Sequence, residues 1–367
     1  MKKNGCLGGF GPVNLGPGCE FWCPLPKPVP DLKSLASAAV AAQTRRMVFV
    51  GFHASHEQIP PSALLDDVQR AEAAGFDGAM CSDHLAPWNP RQGESGFAFS
   101  WLGAALARTE FSIGMVNAPG QRYHPVIVAQ ALATLEEMFP GRFWAALGSG
   151  EAMNEHVTGE PWPPKSVRNA RLAECVDVIR RLFDGEEVSR DGLVKVHRAR
   201  LWTRPAAPPP LLATAVSAET AGWAALWADG LATVAQAPEA LERVVDAYRS
   251  QDGTGPCVLQ VHVSLADTDA AAYAIAKDQW RNGLVTPPLA WDLEQPEDFD
   301  AAVGEVDEAK LRDAVLIESD PVALAERIAD LAAIGFDRVY VHHVGREQDG
   351  FLDAAARGIL PRLTEAR

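Results

Sequence analysis

Three stretches of this chain place side chains able to handle protons at the ends of apolar runs. Ser82-Asp83-His84 closes the run DGAMC, with Trp88 four residues on. Gly148-Ser149-Gly150-Glu151 closes RFWAAL, with Asn154 just beyond. A third run ends in Met115-Val116-Asn117-Ala118-Pro119 and is followed by Arg122-Tyr123-His124. A histidine and a carboxylate carried to one place by different strands are what acid–base chemistry on a small molecule requires, and His84 with Glu151 is the candidate pair. Each residue also has a plainer use. His84 fits a hydrogen-bonded histidine at a strand end, and Glu151 fits a carboxylate that answers the dipole of a following helix. Polar groups at three strand ends weigh toward chemistry for His84; for Glu151 the two uses balance.

Metal chemistry has less support. His53/His56 and His342/His343 are the close histidine pairs, and neither has the spacing or carboxylate of a zinc-hydrolase motif. Neighbours on a strand point to opposite faces, so His342 and His343 cannot both line one site. Cys19 and Cys23 would make half a metal site, with no second pair nearby. No metal ligands are assigned, and a metal-dependent barrel hydrolase is retained as an alternative class. Neither the nucleophile elbow G-x-S-x-G nor a P-loop is present. An anionic cofactor group has two candidate holders. Ser217 begins Ser-Ala-Glu-Thr, where it would cap a helix whose free N–H groups suit phosphate. Lys165, Arg168 and Arg171 recur at three-residue spacing, a pattern that is more often a solvated helix face.

The elements behind these residues alternate. From Met47 onward, strand-like runs (MVFVGFHA, DGAMCSDH, FSIGMVNAP, RFWAALGSG, PLLATAV, DGLATVAQ, CVLQVHVSLA, RVYVHHVG) are each followed by a helix-period segment such as PSALLDDVQRAEAAG or PVIVAQALATLEEM. Eight such alternations, with strands apolar on both faces, predict a parallel (β/α)₈ barrel over residues 47–367. A less periodic insertion at about 267–319 interrupts it. An open doubly wound sheet is the alternative fold, but no G-x-G-x-x-G follows the first strand. Reacting groups of such a barrel gather where strands end, which is where the stretches above lie. Residues 1–46 are Gly/Pro-rich without periodicity and read as a disordered extension, with Met47 as the working start.

Composition narrows the class further. A net charge of −15 disfavours nucleic acid and anionic membranes as partners, and leaves a small molecule. No apolar run approaches the ~20 residues of a membrane-spanning helix. Six scattered cysteines form no disulfide framework, so a reducing cytoplasm is expected.

MVFVGFHASHEQIPP, SDHLAPW, QRYHP-VIVAQALATL, FPGRFWAALG and GSGEAMNE together resemble the luciferase-like flavin and deazaflavin oxidoreductases, near the branch of the F420-dependent glucose-6-phosphate dehydrogenases. The likeness runs from about Met47 to the C-terminus and is most specific over the first four strands. It implies a luciferase-like barrel, His84 and Glu151 as acid/base partners near the cofactor ring, and Trp88 stabilising the reacting complex. It also implies Asp83 and Asn154 on the cofactor, and a bulged cis peptide at Met115–Val116 backing the ring beside Ala118. Such a bond costs ~3–4 kcal/mol in a non-proline residue. Family members are commonly dimers, which makes a homodimer the implied assembly.

The departures matter. ATVAQAPEALE, after the sixth strand, has no Lys or Arg before Arg243, so the basic grip on a hexose phosphate is missing. Trp280, Trp291, Pro287 and Pro288 of the insertion suggest a more apolar substrate, with surface packing as the plainer use. The acid/base set matches the F420 branch, whereas the sparse basic residues at the mouth and the nearest subgroup suit FMN; the reading leans to FMN, with coenzyme F420 as the alternative. The expected activity is hydride transfer to or from a small organic substrate, or monooxygenation if reduced FMN activates oxygen. An F420-dependent sugar or alcohol dehydrogenase and a flavin-binding barrel without turnover are the other readings.

Overall fold

The computed structural model describes residues 48–364. The expected extension 1–46, and Met47 after it, lie outside the described residues. Eight parallel strands close on themselves: β1 (Phe49–Ala54), β2 (Gly78–Cys81), β3 (Ser112–Asn117), β4 (Phe143–Leu147), β5 (Leu211–Thr214), β6 (Leu231–Val234), β7 (Cys257–Leu265) and β8 (Arg338–His343). Closure runs through β6 against β7 (Leu231 opposite Cys257) and β8 against β1 (Arg338 opposite Phe49). This is the (β/α)₈ barrel that the alternation predicts.

The helices follow from local chemistry. Proline occupies the first turn of α1 (Pro61–Ala74), α3 (Pro125–Met138), α6 (Pro238–Ser250) and α7 (Pro321–Ala333). There its missing N–H is no loss and its fixed φ suits the helix. Alternating with these are α2 (Ala98–Arg108), α4 (Lys165–Phe183) and α5 (Ala218–Ala224), and α8 (Asp349–Ala354) leads into the last turns. No helix of the described residues is long and apolar enough to cross a membrane.

Side chains alternate across each strand, and one face of every barrel strand packs outward against the helices in a single apolar core. The other face fills the barrel. Its floor is a separate cluster of Met80, Trp144, Ala146, Leu212, Ala232, Val258 and Tyr340, with Phe49 and Val116 against it. Glycines make room for the large rings. A Cβ on Gly51 would fall 2.2 Å from the Tyr340 ring, and one on Gly114 2.0 Å from Trp144. The floor is a packed layer, so chemistry must lie above it.

Two parts of the fold lack a simple period. Val188–Asp191 and Lys195–Ala199 form an antiparallel hairpin between α4 and β5 that the sequence does not announce. The insertion, expected as irregular, holds helices at Asp269–Gln279, Leu289–Asp292, Pro296–Val303 and Glu308–Ala314, then a short strand, Leu316–Glu318, that pairs parallel with the end of β7.

Candidate active site

Two residues past the floor, or four past Phe49 on β1 and Val258 on β7, the inward positions of the strands split the barrel into unlike halves. On β1, β2, β7 and β8 they are His53, Ser82, His262 and His342, all buried. On β3 to β6 they are Ala118, Gly148, Thr214 and Val234, small or slender, and all but Gly148 are half-buried with Val116 beneath them. One wall is polar and closed; the other is smooth and open.

His84, just past β2, stands where these halves meet. Its Nε2 lies 3.8 Å from Glu57 Oε1 and 3.9 Å from Glu151 Oε2. Glu57 comes from the turn after β1 and is 1% exposed. Its Oε2 accepts from Ser55 Oγ and Ser82 Oγ, each at 2.8 Å, while Oε1 is buried with no hydrogen-bond partner among the described residues. The two carboxyls are pushed apart. Burial drives Glu57 up, but the His84 ring, the Ser82 hydroxyl and a backbone N–H outweigh it and leave the group below the usual carboxylate range. For Glu151 burial prevails; His84 opposes it, the charge of Glu57 adds to it, and the group sits above the usual range. Carboxyls with opposite shifts around one proton carrier are the signature of a divided acid–base task.

Asn154 orients the histidine. The Leu85 backbone N–H donates to Asn154 Oδ1 at 2.8 Å, which pins the amide and turns its Nδ2 toward His84 Nδ1 and Glu151 Oε2, both at 3.4 Å. An amide nitrogen only donates, so Nδ1 of His84 is left as acceptor and the ring hydrogen belongs on Nε2, between the carboxylates. Gly150 makes this turn possible: its φ is +82°, and a Cβ there would meet Glu155 at 3.2 Å and Trp162 at 3.4 Å.

Trp88 covers His84, with ring centroids 4.7 Å apart, and is backed edge-on by Phe299 at 5.4 Å. The insertion holds it there. The Trp88 backbone N–H donates to Gln92 Oε1, the Gln92 and Asn89 side-chain amides donate to the Gln279 backbone carbonyl, and Arg91 grips Asp300 with Nη1 and Nη2 at 2.5 and 2.7 Å.

The other expected site residues are placed differently. Asp83 is buried, and its carboxylate takes Asn117 Nδ2 at 2.8 Å, Tyr123 Oη at 3.1 Å and Arg122 Nη2 at 3.2 Å, tying the end of β2 to the loop after β3. Met115 is fully buried in the outer core, facing the helices, while Val116 and Ala118 face the barrel interior. The cis bond implied at Met115–Val116 is corrected: the described residues hold a cis peptide at Pro287–Pro288, and β3 runs as a regular strand there, paired on both sides (Met115 with Cys81 and Ala145, Val116 with Ala146). Ser217 is exposed and caps α5, accepting from the Thr220 N–H at 3.3 Å.

Lys165, Arg168 and Arg171 are no solvated stripe. Arg168 is 4% exposed, lies over the Trp162 ring at 4.3 Å and donates to the Gly150 carbonyl; Lys165 lies 4.0 Å over Trp291; Arg171 donates to Gln121. Burial, then Arg168, lowers Lys165, and burial leads the lowering of Arg168. Trp291 therefore serves this cluster, and Trp280 is buried over His262 and His342. His53 stacks on His342 inside the barrel whereas His343 stacks on Phe351 outside it, as strand alternation requires. Glu57 is the functional candidate that sequence reasoning missed; its one signal is an acid flanked by Ser55 and His56 directly after an apolar strand. A surface hollow of 460 Å³ beside the hairpin, lined by Arg190, Asp191 and Lys195 among others, includes none of these groups in its lining.

Residues 44–338 match the family model described as luciferase-like monooxygenase. The chain is 34% identical over 331 residues to an F420-dependent glucose-6-phosphate dehydrogenase of Intrasporangium calvum, covering 86% of this chain and 99% of that one. Among solved structures it is similar to an F420-dependent secondary alcohol dehydrogenase in complex with an F420–acetone adduct, with a TM-score of 0.80, 28% identity, and coverage of 86% and 99% of the two chains. The oxygenating constituent of 3,6-diketocamphane monooxygenase from Pseudomonas putida, a complex with FMN, superposes with a TM-score of 0.61 over 86% of this chain and 98% of that one at 15% identity, a likeness of fold alone.

Proposed function

The chain belongs to the luciferase-like monooxygenase family and is an oxidoreductase of its flavin/F420-dependent class, and from that premise we propose that it interconverts a secondary alcohol and its ketone with the deazaflavin F420 as hydride partner. The observation that carries this reading is the trio of Glu57, His84 and Glu151, set at the edge of an open, smooth-walled half of the barrel. A planar ring fits a wall of Val116, Ala118, Gly148 and Thr214, whose side chains are small or slender. The buried Arg168 and the half-buried Lys165 and Arg171 have no carboxylate within 4.0 Å among the described residues, and so suit an anionic tail. The expectation of FMN rests on a mouth poor in basic residues and on likeness to an FMN-using subgroup; this cluster offsets the first ground, and F420, the more anionic of the two, is named in the relatives at higher identity.

When bound, the deazaflavin supplies the carbon that accepts or returns a hydride. This chain supplies the proton handling. In the oxidising direction the hydroxyl proton passes to Glu57 Oε1, ionised and without a hydrogen-bond partner among the described residues, while the Nε2–H of His84 hydrogen-bonds the oxygen of the substrate hydroxyl. Glu151, whose carboxyl burial holds above the usual range, is the acid on the other side of His84. Trp88 closes over the reacting carbon and keeps water away. Asn154 acts through His84, and Asp83 acts through the strand ends that it ties. The glucose-6-phosphate of the relatives is not carried over, because Ala235-Gln236-Ala237-Pro238 after β6 offers no cation.

Bleaching of F420 by a panel of secondary alcohols tests this directly. The wild type should bleach it, and Glu57→Gln should slow the reaction by about 10²–10⁴-fold. Turnover with FMN and none with F420 would overturn the cofactor assignment; equal rates for the two proteins would remove Glu57 from the chemistry.

A further inference from the structure

The closed wall of the barrel carries a chain of hydrogen bonds whose direction is fixed from one end. It begins at the backbone carbonyl of Val344, which can only accept. The Gln58 amide nitrogen lies 2.5 Å from that oxygen and 3.3 Å from Gln279 Oε1, so the NH₂ group of Gln58 faces this way. Gln58 therefore turns its Oε1 toward His342 Nε2, 2.7 Å away. That nitrogen must carry the hydrogen. In a neutral ring Nδ1 of His342 is then the lone pair, and it faces His262 Nδ1 at 3.0 Å. So His262 donates from Nδ1 and is left with a lone pair on Nε2.

Both rings stay neutral, because burial and then the nearby His53 ring lower them, His262 to about 3 and His342 well below its usual value. Their planes are clamped. His53 stacks on His342 at 4.5 Å, Trp280 meets His342 edge-on at 4.7 Å, and Trp280 lies over one face of His262 at 4.4 Å. Among the described residues nothing hydrogen-bonds Nε2 of His262, and the residue keeps 8% of its surface exposed where His342 keeps 1%. An acceptor of set direction on an inner wall calls for a donor from outside the protein. We propose that His262 Nε2 receives a hydroxyl or N–H of the substrate, and that the substrate carries this donor apart from the carbon being oxidised. β7 stands three places from β2 around the wall (β7, β8, β1, β2), so His84 and His262 face a bound substrate from different sides. The substrate class is thus a diol, polyol or amino alcohol rather than a simple apolar alcohol. This rests on the reading of the mouth as an alcohol site.

Long-range ¹H–¹⁵N spectra of the full chain labelled at histidine test it, with and without F420. The rings should appear as Nε2–H for His342 and Nδ1–H for His262; the opposite tautomer at His262 overturns the inference. Gln58→Leu removes the acceptor that sets the chain and should mix the two tautomers at His262, and an unchanged tautomer in that folded variant counts against the relay. With cyclohexane-1,4-diol as probe, the His262 Nε2 resonance should move toward that of a hydrogen-bonded nitrogen, and 1,4-dimethoxycyclohexane should leave it in place. A probe that shifts His84 and leaves His262 still would sink this proposal and spare the alcohol site. Failure to bleach F420 would strike the alcohol-site reading, while the tautomers would still report on the relay.

Discussion

Glu57 and Glu151 differ in what surrounds them, and that difference predicts the pH profile. Glu57, held below the usual carboxylate range, is already a base in mild acid, and activity should be lost only as pH falls through its lowered value. Glu151, held above that range by burial, keeps its proton longer, and its contribution should be lost as pH rises through the raised value. Glu151→Gln keeps the shape and hydrogen bonds but has no proton to give. It should lower kcat and flatten the alkaline limb of kcat/KM; an unchanged limb would assign that limb to another group. Much of this was legible. His84, Glu151, Trp88 and Asn154 sit where apolar runs stop, and a polar residue there is conspicuous. Glu57 was not, since its partners Ser82 and His84 lie 25 and more residues away and its burial depends on strand closure.

At the scale of elements, the insertion holds the loop after β2 as a strut. Arg91 reaches Asp300 across 209 residues of sequence. Arg91→Ala should release Trp88 from His84 and lower kcat about tenfold, ~1.4 kcal/mol, with a change in tryptophan fluorescence and little loss of stability; full activity would show that Trp88 is held by its stack alone. In α1, Asp67 is raised to about 6, chiefly by burial. A carboxyl raised in the folded state adds stability below its unfolded value, near 3.8, and that stability is lost as pH rises through about 6. Asp67→Asn should therefore match the wild-type Tm below pH 4 and exceed it above pH 6, as thermal melts across that range would report. Helix starts were legible because proline and a capping residue mark them. The insertion's packing was not: four short helices without a shared period give no face to read, and Trp280 and Trp291, conspicuous as substrate wall, are occupied by His262 and by Lys165.

For the molecule as a whole, the closed barrel was evident in eight alternations, while its asymmetry was not. Which inward positions are polar and which are small becomes visible only when register places His53, Ser82, His262 and His342 on one side and Ala118, Gly148, Thr214 and Val234 on the other. The floor bears the load of that arrangement. Trp144→Ala should cost ~3–5 kcal/mol, read as a fall in denaturation midpoint; a smaller loss would mean that the layer collapses to fill the gap. The central claim is that a planar redox ring lies on the open wall. It is tested most directly by titrating F420 into the wild type and into Val116→Trp, which fills that wall from β3 above the intact floor. The account predicts saturable binding to the wild type and none to the folded variant. Equal binding to both proteins would contradict it.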